Sequence, residues 1–182
     1  MTTVTFLFTL IALFLIVRER FAGFSSQTPR YYETTKPSFS LNEHLSGPIL
    51  CEGVIYGPTG KVATSFVAHM EGVWEGNKGT LSEDFSYSNG RKQLRKWHLT
   101  SGVENSFNAT ADDIIGVGKG VVSGSTAMLK YTIELPKEAG GYRLDVTDWM
   151  YLTENGTIMN RSEMRKFGFK VAELIATMRP IK

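Results

Sequence analysis

Asp84 and Arg95 stand on either side of Asn89-Gly90, the strongest hairpin signal in the chain. A two-residue type I′ turn needs positive φ at both central positions, and Asn-Gly supplies it. Ser88 then faces Arg91, and pairing outward sets Asp84 opposite Arg95 on the face of Trp97 and Leu99, and Glu83 opposite Lys96 on the face of Leu81, Phe85 and Leu94. One of these ion pairs must point inward. The company of Trp97 and Leu99 favours Asp84 with Arg95, and its plain role is a cross-strand pair that supports the fold.

Asp148 is the second acid whose position conflicts with its chemistry. From Tyr142 to Leu152, period two places Leu144, Val146, Met150 and Leu152 on one face with Asp148 among them. A carboxylate on a buried face needs a partner, and Arg161 and Lys166 are the nearest cations after the Asn155-Gly156 turn. Paired, Asp148 is structural, and Asp148→Ala should cost about 3 to 5 kcal/mol. Unpaired in a cavity, its pKa would rise and it could handle protons.

Other chemistries find no support. The single cysteine, Cys51, lies in an apolar strand-like run and reads as an inert buried thiol, and His44, His69 and His98 lack metal-motif spacing. Gly116 to Gly120 (GVGKG) lacks the Lys-Ser or Lys-Thr ending of a phosphate loop and fits a glycine-rich strand at a barrel bend. Twenty basic and 18 acidic residues are mixed along the chain, leaving net charge +2 and no basic stripe for a nucleic acid. No cofactor, metal or nucleic-acid partner is expected. Gly72-Val73-Trp74 matches the Gly-x-Trp of lipocalins, a pattern too short to decide anything alone.

The elements that must position these residues are strands. Ala127, Leu129, Tyr131, Ile133 and Leu135 alternate with polar neighbours, and Val62, Phe66, Ala68 and Met70 do so more loosely. Turn signals recur at Gly57-Pro58-Thr59-Gly60, Gly76-Asn77-Lys78-Gly79, Asn89-Gly90, Ser101-Gly102, Ser123-Gly124, Gly140-Gly141 and Asn155-Gly156. That spacing predicts an all-β domain over residues 39–182, a single antiparallel up-and-down barrel of about eight to ten strands, closed to bury its apolar face. Ser40 and Glu43 form a capping box before Gly47-Pro48, so residues 40–46 should be one helical turn plugging an end of the barrel.

Residues 1–24 read as an apolar signal or anchor and residues 25–38 as an extended tether. Val4 to Val17 would span about 21 Å at ~1.5 Å per residue, short of the roughly 30 Å of hydrocarbon, and Arg18 to Arg20 occupy the place of a neutral cleavage site. An uncleaved membrane anchor follows. Orientation stays open, because Arg18 and Arg20 favour the cytoplasm whereas Phe21 to Ser26 (FAGFSS) has the pattern of a bacterial lipoprotein signal with Phe24 in place of the lipidated cysteine.

Taken together, Gly72 to Gly90 (GVWEGNKGTLSEDFSYSNG), Arg95-x-Trp97, Ala109 to Asp113 (ATADD), Asp148 to Leu152 (DWMYL) and Met164 to Gly168 (MRKFG) resemble the bacterial family called domain of unknown function 3833, over residues 30 to 180 or so. The resemblance implies a lipocalin-like barrel, an envelope location and a role connected with lipids; Phe24 departs from the family's lipoprotein signal. It implies no catalytic residues. Asp84, Arg95, Trp97, Asp148, Trp149, Tyr151, Asn160 and Arg161 match its recurring positions and are carried as candidate cavity or core residues.

The expected function is a membrane-anchored binding module, in the inner membrane with the domain in the periplasm, whose barrel holds a lipid-like or other apolar small molecule with a buried ion pair at its polar end. The alternatives are a small isomerase or hydratase using Asp148 or Asp84, and an envelope adaptor with a packed interior.

Overall fold

The computed structural model describes residues 2–181, with the backbone alone at 2–4, 12, 15, 16 and 18–20. Helix α1 (Thr2–Ala22) leads into two single-turn 3-10 helices, Phe24–Ser26 and Pro29–Tyr32, and then α2 (Leu41–His44). Ten strands follow: β1 (Gly47–Tyr56), β2 (Val62–Glu75), β3 (Lys78–Tyr87), β4 (Lys92–Ser101), β5 (Ser106–Thr110), β6 (Ile114–Ser123), β7 (Thr126–Glu134), β8 (Arg143–Leu152), β9 (Ile158–Lys166) and β10 (Phe169–Pro180). Each pairs antiparallel with the next, and β10 returns to β1 to close the barrel. Closure gives every strand a neighbour on both sides, although β4 meets β5 only over its last four residues, His98 to Ser101.

The alternation read from sequence decides which side chains go in. On β2, Phe66, Ala68 and Met70 are buried, and on β7, Ala127 and Leu129, whereas Val62 at the start of β2 is 54% exposed. The glycine-rich stretch lies on β6, where the register against β7 shifts between Ile115 and Lys119, as expected of glycine at a bulge.

One end of the barrel is shut. Helix α2 forms where the capping box predicts, although its N-cap Ser40 makes no side-chain cap bond; Ser40 N donates instead to His44 Nδ1 at 3.0 Å. Leu41 and Leu45 enter the core as a plug. Trp74 Nε1 donates to Leu45 O at 2.9 Å, and the plug sits so close to β2 that a Cβ on Gly72 would meet Leu45 O at 2.0 Å. Glycine is required at that contact.

Residues 25–38, expected as an extended tether, instead form a strap folded on the barrel wall. Tyr32 and Tyr151 both donate to Gln27 Oε1, at 2.6 and 2.7 Å. Ser123 Oγ donates to Pro29 O at 2.7 Å, and Phe39 N to Gly124 O at 2.7 Å. Beneath the strap Trp149 is fully buried, with Tyr32 at 5.3 Å and Tyr151 stacked on it. Helix α1 presents exposed Phe6, Phe8, Phe14 and Phe21. Among the described residues no helix is long and apolar enough to cross a membrane.

Candidate functional site

The β3–β4 hairpin sets the register of the site, one residue away from expectation. Tyr87 N bonds Arg91 O, Gly90 N bonds Tyr87 O, and Gly90 takes φ +83°. The loop is thus three residues, Ser88 to Gly90, with glycine in the left-handed position, the second common hairpin solution. Ser86 pairs with Lys92, so Arg95 faces Glu83, and Asp84 faces Leu94. The expected pairing of Asp84 with Arg95 is therefore incorrect. Arg95 points inward with Trp97 and Leu99, but its cross-strand acid is Glu83; Asp84 lies outside, beside an 81% exposed Leu94.

The barrel encloses a cavity of about 340 Å³. Toward the plug it is walled by apolar side chains such as Met70, Leu81, Leu99 and Met150, and toward the mouth by Phe85, Ile133, Leu144 and Leu174. Between these zones runs a polar belt. Arg95 Nε contacts both oxygens of Asp113, at 3.1 and 2.9 Å, its guanidinium lies over the Trp97 ring at 4.1 Å, and its Nη1 is 4.0 Å from Glu83 Oε2. Across the cavity Asp148 accepts from Asn160 Nδ2, and from Ser162 Oγ at 2.8 Å. Tyr131 and Cys51 complete the belt. Asp148 and Tyr131 keep some accessible surface although they lie deep in the protein, because that surface borders the cavity.

Burial dominates the electrostatics of the belt. It pushes the Glu83 carboxyl up to about 7 against the opposing pull of Arg95. Asp148 is likewise raised by burial, with the Ser162 and Asn160 hydrogen bonds pulling the other way. The Cys51 thiol is pushed up to about 12, first by burial and then by Glu83, which makes it inert. Three buried side-chain polar atoms have no hydrogen-bond partner among the described residues: Glu83 Oε2 and Arg95 Nη2 in the belt, and Trp149 Nε1 under the strap. Among those residues no cluster of His, Cys, Asp and Glu could hold a metal.

An entrance cleft at the open end shares Arg91, Gln93, Asp113, Leu135 and Pro136 with the cavity. It lies between the β3–β4 turn, the β5–β6 connection and the β7–β8 loop.

The family described as Protein of unknown function (DUF3833) matches residues 19–180. The chain belongs to it. The resemblance seen in the sequence motifs is thereby confirmed. No curated protein matches this DUF3833 member. Among solved structures it is similar to the S-type phycobiliprotein lyase CPES from Guillardia theta, at TM-score 0.59 and 10% identity over 86% of this chain and 98% of that one. It is also similar to Rv2717c from M. tuberculosis, at TM-score 0.56 and 13% identity over 81% and 99%. At such identities the likeness is one of fold, a lipocalin-like barrel.

Of the candidate residues in this DUF3833 chain, Arg95, Trp97, Asp148 and Asn160 line the cavity. Asp84, Trp149, Tyr151 and Arg161 do not. Trp149 and Tyr151 lie under the strap, and Arg161 is on the outer wall, bound to Glu173 at 2.6 Å and set over the Phe24 ring. Asp148 is thus inside, as period two predicts, but its partners are neutral donors rather than Arg161 or Lys166; Lys166 lies over the Tyr142 ring at 3.7 Å. Sequence reasoning missed Glu83, Asp113, Tyr131 and Ser162. Tyr131 was visible as an inward position of the β7 alternation, and Ser162 as the second residue after Asn160 on one strand. Asp113 carried no signal beyond the ATADD motif.

Proposed function

We propose that this protein is a binding module that holds an apolar small molecule in its barrel, the polar end of the ligand at the belt of Glu83, Arg95, Asp113 and Asp148. The observation that carries the reading is the cavity itself: about 340 Å³, apolar above and below and polar at one level. Ligand sites have this size and pattern, with a few placed polar groups in a mostly apolar wall. A barrel that existed only to present its outer face would gain stability by filling such a space, and this weighs against the adaptor reading. Attachment to a membrane, with the barrel in the envelope, belongs to the same proposal. The exposed phenylalanines of α1 support it, since an apolar helix can lie in the interface without crossing.

Native mass spectrometry of the full chain, extracted from the membranes of its own cells, tests the proposal. A small apolar molecule should remain bound and leave on activation. A chain of bare mass from every preparation would overturn it.

One observation favours a second reading, an acid–base enzyme on the same barrel. Glu83 is raised to about 7 inside a cavity, where a carboxyl can both give and take a proton near neutral pH. Turnover of a bound ligand that is lost in Glu83→Gln would decide for it.

A further inference from the structure

The belt is poorly suited to an anionic ligand. Three carboxylates, Glu83, Asp113 and Asp148, reach it from β3, the β5–β6 connection and β8, while among the described residues one guanidinium, that of Arg95, stands at its level. That guanidinium is already committed on most sides. Nε is held by Asp113, Nη1 faces Glu83 at 4.0 Å, and the Trp97 ring covers one face of the guanidinium plane. A carboxylate is ordinarily gripped by two parallel N–H donors of an arginine, and here Nη1 is turned toward the acid Glu83 while Nη2 is the nitrogen buried without a partner. A second anion beside it would also meet Glu83 in a medium of low dielectric.

What the belt leaves open is one donor and one acceptor. Arg95 Nη2 and Glu83 Oε2 are both buried, both without a hydrogen-bond partner, and both in the cavity wall, with Glu83 only 7% exposed. Orphaned buried polar atoms are costly, and a ligand that satisfies them recovers that cost. A group that accepts from Nη2 and donates to Oε2 would satisfy both at once.

Resting on the binding-module reading, we propose that the cavity selects apolar ligands whose buried end is an uncharged donor and acceptor, a hydroxyl or an amide, and rejects those ending in a carboxylate. The hydroxyl oxygen accepts a hydrogen bond from Arg95 Nη2 and its O–H donates one to Glu83 Oε2. Tyr131 and Cys51, facing the belt from β7 and β1, and Tyr87 further along β3 keep their protons at neutral pH because burial raises all three, and Arg91, the other guanidinium of the lining, lies over the Tyr87 ring toward the mouth. The three protonated groups add no charge to attract an anion. Glu83, raised by the same burial, becomes a second donor when protonated, so a carboxylate ligand is tolerated better below neutrality.

The test is titration of the full chain with 1-decanol and with decanoate at pH 8.5, followed by calorimetry and by tryptophan fluorescence. Decanol should bind at least about tenfold more tightly than decanoate, and Glu83→Gln should narrow the gap by strengthening decanoate. Decanoate binding as tightly as decanol at pH 8.5, or unchanged in Glu83→Gln, would overturn the head-group selectivity and leave the binding module standing. If neither probe binds, the binding-module reading fails and the selectivity falls with it.

Discussion

Glu83 Oε2 and Arg95 Nη1 face each other across the β3–β4 ladder at 4.0 Å, too far for a hydrogen bond, while Arg95 Nε holds Asp113 at 2.9 Å. Arg95 is therefore the charge that allows two acids to coexist in the wall of an apolar cavity. Removing it leaves them uncompensated. Arg95→Met, which keeps apolar volume over Trp97, should destabilise the barrel by about 3 to 5 kcal/mol, read from urea denaturation at pH 8. A loss under about 1 kcal/mol would mean that solvent in the cavity already screens both acids.

The second prediction follows from Glu83. Its carboxyl is raised from 4.5 to about 7 by burial, so between those values the folded chain holds a proton that the unfolded chain has released. Stability must then fall as pH rises from about 4.5 to 7 and level off above, the reverse of the usual carboxylate effect. At about 1.4 kcal/mol per unit the contribution is at most about 3 to 4 kcal/mol. Glu83→Gln should remove most of this slope and be more stable than the parent at pH 8. Equal slopes in the two proteins would show that Glu83 is not the group responsible.

Asp148 carries the third. A buried carboxylate paired with a cation would strand that cation on removal, the basis for expecting 3 to 5 kcal/mol. Its partners are Asn160 and Ser162 instead, so Asp148→Ala leaves two neutral donors unpaired and should cost about 1 to 3 kcal/mol. Asp148→Asn keeps the shape and sheds a charge that burial disfavours, and should match or exceed the parent in stability. A loss in Asp148→Ala well beyond that range would point to a cation partner after all.

How far the sequence carries depends on which physical rule is asked to work. Seven of the nine strand junctions show Gly, Asn or Pro signals and were read; Ala111 to Asp113 has none of these residues, and Phe167-Gly168 hides its turn behind a phenylalanine. Alternation placed Asp148 inside, and it also places Trp149 and Tyr151 outside, against the family motif that grouped all three. Register was the weak point. Asn-Gly fits both a two-residue and a three-residue loop, and the one-residue difference exchanges Asp84 for Glu83. The strap was illegible because 3-10 turns over a barrel wall leave no periodic pattern. Asp113 reaches Arg95 from a loop that no strand rule could position.

The strap makes the fourth prediction. Trp149 is fully buried on the outer wall, where Tyr32 of the strap packs on it at 5.3 Å and is tied by Gln27 to Tyr151. A chain of residues 23–182 keeps the cover and should melt with the full-length protein, whereas residues 39–182 expose Trp149 and should melt well below it. In the full chain, Trp149→Ala should cost about 3 to 5 kcal/mol. Cell fractionation of the full-length chain and of residues 23–182 tests α1: the first should be in the membrane fraction and the second in the soluble one, with both soluble counting against the anchor.

The last prediction concerns Phe167, the tip of the β9–β10 hairpin. Phe167 and Gly168 form a two-residue turn with φ of +52° and +83°, between Lys166 and Phe169, which are paired. Such a type I′ turn demands the left-handed region at both positions, where Asn, Asp or Gly is usual, and the strain on a residue with a bulky Cβ is roughly 1 to 2 kcal/mol. Packing does not offset it. Phe167 is 88% exposed, and among the described residues its one ring contact is the Lys166 ammonium at 5.6 Å. Phe167→Asn keeps the turn and lowers the strain, so it should raise stability by about 1 kcal/mol, seen as a higher urea midpoint at unchanged m value. Phe167→Ala retains a Cβ without the preference of Asn for this region and should gain less. A fall in stability for Phe167→Asn would show that the exposed ring contributes more to the hairpin than the backbone strain takes away.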